Sequence, residues 1–153
     1  MKIRKANKTN KNELQTLMNK FNSYRKNIFS LENKEFHKRT TPYSLLEDKD
    51  FDKGLFFVAL DDSEKIVGFI QGTVEQRKNY KLSKLGHIDR LYIKDSFRRK
   101  GIARNLFLEL EKELRQQRCD HLTIYTDFEN NSSQQFYLQV GMNKATIELW
   151  KKL

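Results

Sequence analysis

Arg98, Arg99 and Lys100 stand directly before Gly101, and an amphipathic pattern begins immediately after them. This combination suits a phosphate. The first N–H groups of a helix lack backbone partners, and the helix dipole favours negative charge there. A glycine at that point lets backbone and ligand approach closely, while the three side chains add positive charge. The stretch is not a Walker-type loop, because no Gly-Lys-Ser/Thr follows, and it is not GxGxxG. Taken alone, the same residues also describe a solvated basic loop that caps a helix. Two groups able to move protons, His87 and Asp89, stand two apart in GHIDRLYI. An extended chain puts them on one face, and the ordinary pKa of histidine suits proton transfer.

Such residues act only if the chain positions them. Residues 2–6 read as a short strand. Asn10 reads as a helix N-cap, with Glu13 closing a capping box, and the helix carries Leu14, Leu17, Met18 and Phe21 at helical spacing. Residues 23–52 are less regular and suggest short helices. The apolar run 55–60 and the stretch 66–76 form a hairpin around the DDSEK turn. Residues 85–93 give a third strand, 101–117 a helix with Ile102, Leu106, Leu110 and Leu114 on one stripe, and 121–126 a fourth strand. A short helix at 132–140, ended by Gly141, and a last strand at 145–150 complete the chain. The order is β-α-α-β-β-β-α-β-α-β, a mixed sheet of the α/β (or α+β) class. The helix between the third and fourth strands implies a parallel pair with a right-handed crossover.

The chain has 153 residues, which suggests one domain spanning 1–153. Hydrophobic residues make up 37% and charged residues 33%, with eleven Phe and six Tyr, so a folded core is expected rather than global disorder. No run of 18 apolar residues predicts a membrane helix. The basic N-terminus lacks the apolar segment of a secretory signal, so a cytoplasmic location is expected. Cys119 is the single cysteine, which excludes an internal disulfide. It stands at a helix end that does not activate thiolates. His37 and His121 have no partners at metal spacing, so no metal is expected. The formal net charge of +10 suggests an anionic partner; nucleic acid is one such partner, though most of the cations are dispersed along the chain.

Two stretches together carry a family resemblance. Arg98-x-x-Gly101-x-Ala103, after a hydrophobic strand and opening an amphipathic helix, resembles the Gln/Arg-x-x-Gly-x-Gly/Ala signature of the GNAT-type N-acetyltransferase superfamily. Asn130-x-x-Ser133-x-x-x-Tyr137-x-x-x-Gly141-Met142 resembles a second pattern of that family at its expected distance, with Ser for the common Ala and Met for the common Phe. The resemblance implies a single GNAT-like domain that uses acetyl-coenzyme A as donor and an amine as acceptor. It implies that Arg98, Arg99, Lys100, Gly101, Ile102, Ala103 and Arg104 hold the pyrophosphate, largely through backbone N–H groups. Leu91, Tyr92 and Ile93 would offer strand-edge backbone to the pantetheine arm and the thioester carbonyl. Asn130 and Ser133 would flank the arm.

By the same resemblance Tyr137 matches the tyrosine near the coenzyme A sulfur and is the expected general acid. Asp89 matches a carboxylate ahead of the Leu-Tyr-Ile run and is the first candidate for the base. His87 is the second, with Glu75 or water as further candidates. The acceptor would be shaped by residues 23–52 and 77–84, both rich in cations, so an acceptor with negative charge nearby suits the basic balance better than a polycation. The expected acceptor is a small molecule or a peptide, and the protein is expected to be a monomer or homodimer with no membrane partner. The alternative from another class is a catalytically silent acetyl-coenzyme A sensor or a nucleic-acid-associated accessory module.

Overall fold

The computed structural model describes residues 1–28, 30, 34, 45–151 and 153. Five strands form one sheet in the order β1-β2-β3-β4-β5: β1 (Lys2–Lys5), β2 (Phe56–Leu60), β3 (Ile66–Gln76), β4 (Lys84–Ile93) and β5 (His121–Ile124). The first three junctions are antiparallel. The last is parallel and short, from Leu85 opposite His121 to Ile88 opposite Ile124. Four α-helices accompany the sheet among the described residues: α1 (Lys11–Ile28), α2 (Lys49–Asp52), α3 (Ile102–Gln116) and α4 (Asn131–Gln139). The mixed architecture expected from the sequence is the one observed.

The sheet has a core on each face. On one, α3 lays Leu106, Leu110 and Leu114 against Ile70, Ile88 and Val67, with Tyr137 of α4 at the margin. The spacing of four among these leucines makes a single stripe, and burying each contributes about 2 kcal/mol. A Cβ on Gly86 would lie 2.8 Å from a methyl of Leu114, so a bare backbone here lets the helix sit close to β4. On the other face α1 packs Leu14, Leu17 and Met18 against Phe56, Phe69 and Tyr92.

Two expectations change, and a third is largely untested. First, Asn10 is not the cap of α1. Asn7 caps a 3-10 turn (Lys8–Asn10) that runs straight into the helix, its Oδ1 accepting from the Thr9 N–H while the Asn10 side chain accepts from the Asn7 N–H. Glu13 instead accepts the Ile66 N–H at 2.8 Å, tying α1 to the start of β3. Second, residues 145–150 join no strand of the sheet, and Ile147 and Leu149 are 80% and 90% exposed. Alternation makes a strand only where a partner strand is available, and β5 is just four residues long. Third, much of the irregular stretch 23–52, including His37, lies outside the described residues.

The register of β3 and β4 carries the detail on which the site depends. Gln71 faces Arg90 and Gly72 faces Ile88, which leaves Asp89 without a partner. This is a β-bulge, one extra residue on β4 that resets the alternation of faces. Ile88 and Leu91 contact the α3 side, and Tyr92 belongs to the α1 side. Between them Asp89 and Arg90, two successive residues, both turn to the α1 side.

Candidate active site

Beyond the bulge β4 and β5 part. Pairing ends at Ile88 and Ile124, while β4 continues to Ile93. A cleft of about 880 Å³ opens in the split, lined by β4, the start of α3, the segment after β5, α4 and the end of α1. The Lys94 N–H donates to the Val67 carbonyl on β3. Peptide groups alternate direction along a strand, so the N–H groups of Leu91 and Ile93 turn away from β3 and into the split. The Ile93 carbonyl accepts from Arg98 Nε at 3.1 Å.

One end of the cleft is the start of α3. Gly101 occupies the N-cap in the left-handed region at φ +76°, with no capping side chain. Arg99, two residues earlier, is also left-handed at φ +62°. Nothing lies within 4 Å of where a Cβ on Gly101 would stand, so the conformation rather than crowding selects glycine. The result is an uncapped helix start whose N–H groups face open space, the arrangement that binds anions. Arg98 does not swing free over this start. Its Nη2 pairs with Asp95 at 2.8 Å and its guanidinium lies over the rings of Tyr24 and Tyr92, so it braces the loop against α1. Lys100 does not line the cleft; its ammonium stands 5.3 Å from the Phe97 ring. Lys100 is exposed.

The other sequence-derived candidates lie along this one cleft: Leu91, Tyr92, Ile93, Arg98, Arg99, Gly101, Ile102, Ala103, Arg104, Asn130, Ser133, Tyr137, Asp89 and His87. Tyr137 is 6% exposed. Burial pushes its phenol well above the ordinary value near 10, and the neighbouring Ser133 hydroxyl opposes that rise only in part. The Asn130 side chain caps α4 by accepting the Ser133 N–H at 3.2 Å, so its amide oxygen is engaged in the fold. The Thr126 hydroxyl, also on the cleft wall, is buried without a hydrogen-bond partner. Asp89 accepts from Thr73 Oγ1 at 3.2 Å. Desolvation by the surrounding protein raises its carboxyl, offset in part by the charge of His87, the Thr73 bond and Arg90. His87 Nδ1 lies 2.9 Å from Thr123 Oγ1, and its ring packs against Tyr125. Glu75 is exposed near the end of β3 and does not line the cleft.

The sequence-derived acceptor wall is half corrected. Residues 77–84 do not reach the cleft; Arg77 folds back over the Tyr80 ring at 3.5 Å. Phe21, Tyr24 and Arg25 of α1 do line it, as do Arg90, Tyr125 and Asp127. Arg90 was visible inside GHIDRLYI, but only the bulge brings it to the same face as Asp89. Phe21 was legible as a helix residue, with nothing in its spacing to separate a cleft wall from core.

Comparison with known proteins follows the same outline. Residues 25–142 match the Acetyltransferase (GNAT) family. No curated protein matches the sequence significantly. Among solved structures the chain is similar to a mutant of the BH1408 protein from Bacillus halodurans, with TM-score 0.75, 21% identity, and 99% of this chain and 100% of that chain covered. It is similar to the aminoglycoside N-acetyltransferase AAC(6')-Iy in complex with CoA, with TM-score 0.69, 17% identity and 99% of both chains covered. It is also similar to glucosamine-6-phosphate N-acetyltransferase from Arabidopsis thaliana, with TM-score 0.67, 19% identity, and 99% of this chain and 97% of that chain covered. A parted β4–β5 pair with a bare helix start at its end, together with a family match over most of the length, identifies the chain as a member of the Acetyltransferase (GNAT) family, an acyltransferase whose donor is acetyl-coenzyme A.

Proposed function

We propose that this protein transfers the acetyl group of acetyl-coenzyme A to a primary amine on a small molecule or peptide. The observation that carries the reading is the split between β4 and β5, which places an uncapped helix start, a strand edge with free N–H groups, a buried tyrosine and a carboxylate along one cleft. The residues present fit the donor. The helix start at Gly101 suits its phosphates, and the unpartnered Thr126 hydroxyl suits a polar group of its arm. When bound, the donor supplies an acetyl group activated as a thioester.

The protein's part is to orient and to move protons. Asp89, with His87 beside it on the same face, accepts a proton from the acceptor ammonium so that a neutral nitrogen attacks. The upward direction of its pKa shift makes it a stronger base than an ordinary carboxylate. The Leu91 N–H is a fixed donor for the thioester oxygen, where negative charge grows as the N–C bond forms. As the C–S bond breaks, the Tyr137 hydroxyl gives its proton to sulfur, and the second proton of the attacking nitrogen, lost as the amide forms, restores the phenol. That hydroxyl is protonated throughout the physiological range, as an ordinary phenol is, and burial raises its pKa further.

The test is release of coenzyme A from acetyl-coenzyme A, read with a thiol reagent against amino acids, amino sugars, peptides and polyamines, with an enzyme-only blank for Cys119. Acetyl transfer to one class with matching product mass supports the reading. Tight coenzyme A binding without transfer to any amine overturns it in favour of a sensor.

A further inference from the structure

We infer that the acceptor bears a carboxylate or phosphate a few bonds from its reacting amine, and that Arg90 holds that group. This rests on the acetyltransferase reading above and narrows its acceptor.

The inference begins with the bulge. Asp89 and Arg90 are adjacent and share the α1 face, so a base candidate and a guanidinium look into the same chamber. Arg90 is half-buried. Its Nη1 donates to Gln71 Oε1 at 2.6 Å, and Gln71 is 7% exposed, the single polar side chain in the buried class among the described residues. A buried amide that anchors a guanidinium fixes its direction without neutralising it. A glutamate here would cancel the charge; the glutamine leaves it.

The neighbouring arginines contrast with this. Arg25 is matched by Asp127 and Arg98 by Asp95, both within ion-pair distance. Among the described residues no carboxylate lies within ion-pair distance of Arg90, and Asp89 turns its oxygen to Thr73 instead. A partly desolvated, oriented guanidinium with a neutral partner has its strongest available interaction with a bidentate anion. Beside it, Asp89 favours a cationic amine. The two together fit a zwitterionic acceptor, such as an amino acid or a phosphorylated amine, and disfavour a polycation, which would place a second positive charge on Arg90.

The experiment uses the full chain and two matched probe pairs: serine against serinamide for a carboxylate, and O-phosphoethanolamine against ethanolamine for a phosphate. Coenzyme A affinity is measured separately by calorimetry. The anionic member of at least one pair is expected to show about tenfold or greater advantage in kcat/KM, and the pair that shows it identifies the anion. Arg90→Gln is expected to erase that advantage through KM, with coenzyme A affinity within about twofold of the parent. Arg90→Lys keeps charge and loses the fork, and should retain part of the advantage; it serves if Arg90→Gln fails to fold. In parallel, the same probes are titrated into coenzyme A-saturated, nitrogen-15-labelled protein, where the preferred anion should shift the Arg90 Nε–H signal saturably. No preference in either pair together with no saturable shift overturns the inference, and so does a preference that survives Arg90→Gln. Failure of coenzyme A to bind would sink the donor reading instead, while the titration of free protein would still report on Arg90.

Discussion

Arg25 near the end of α1 and Asp127 just beyond β5 are joined by two parallel hydrogen bonds, Nε to Oδ2 at 3.0 Å and Nη2 to Oδ1 at 2.9 Å. The bond couples the helix that roofs the cleft to the lip of the β4–β5 split, across 102 positions of sequence. A second tie lies beside it, where Glu129 accepts the Ser30 N–H. The Asp127 side chain is only 12% exposed, so water competes weakly for the pair.

Asp127→Asn keeps the shape and removes the charge. It should lower stability by about 1–2 kcal/mol, because a forked ion pair becomes a single hydrogen bond from the guanidinium to a neutral amide oxygen. Urea unfolding measures this directly. Acceptor KM should rise more than coenzyme A KM, since the displaced element is the α1 roof. An equal rise in both would mean that the bond supports the fold without shaping the acceptor side.

Gly101 gives a cleaner separation of fold from ligand. At φ +76° with open space around the missing Cβ, Gly101→Ala should cost about 1 kcal/mol in strain and still fold. Gly101→Glu has the same backbone strain and adds negative charge at an anion-binding helix start. Coenzyme A affinity should fall more than tenfold for Gly101→Glu beyond any loss in Gly101→Ala, by calorimetry on both proteins. Equal affinities would place the phosphates elsewhere.

The basic helix start at Gly101 and the helix after it were legible because local chemistry decides them: cations, a glycine, and leucines four apart; that the glycine serves a left-handed turn was seen only in the structure. The element order through β5 was legible from apolar and β-branched runs separated by turns, and from the switch to a helical period at α1 and α3. The relation of Arg90 to Asp89 was not. In a regular strand they would face opposite ways, and only the unmatched residue between the Gln71–Arg90 and Gly72–Ile88 pairs puts them together. A bulge is a property of two strands, and β4 alone does not announce it. Asn7 displaced Asn10 as cap for a similar reason, because both asparagines satisfy the local pattern and the 3-10 turn chooses between them. Residues 145–150 alternate as a strand should, yet a strand also needs a partner edge.

The proton-accepting pair has a signed pH signature. Asp89 is raised chiefly by desolvation, and the charge of His87 is the largest influence holding it down. As the base, Asp89 must be ionised, so kcat/KM should fall on the acid side as pH drops through its raised value. His87→Gln removes the lowering charge, so that acid limb should move to higher pH. Asp89→Asn should abolish the limb and lower kcat by about a hundredfold. A limb that persists in Asp89→Asn and vanishes in His87→Gln would transfer the role to His87.

Tyr137 offers the last test, because its two expected signatures come from separate experiments. Tyr137→Phe removes the proton donor and keeps the ring that packs on Phe136 at 5.1 Å. Turnover should fall by about a hundredfold with coenzyme A affinity unchanged. The second signature is in stability. Burial raises the phenol in the folded state above its ordinary value near 10. Below that value both states are protonated and pH has no effect through this group. Above it the unfolded chain ionises while the folded one keeps its proton, so stability falls with rising pH by about 1.4 kcal/mol per unit. Tyr92 is raised as well, by burial first and then by Asp95, and adds to the same slope. Tyr137→Phe should therefore flatten, without abolishing, the loss of stability between pH 10 and the onset of alkaline unfolding, measured by urea midpoints. A variant that loses turnover but keeps the full alkaline slope would mean that the phenol acts from a hydrated position rather than a buried one.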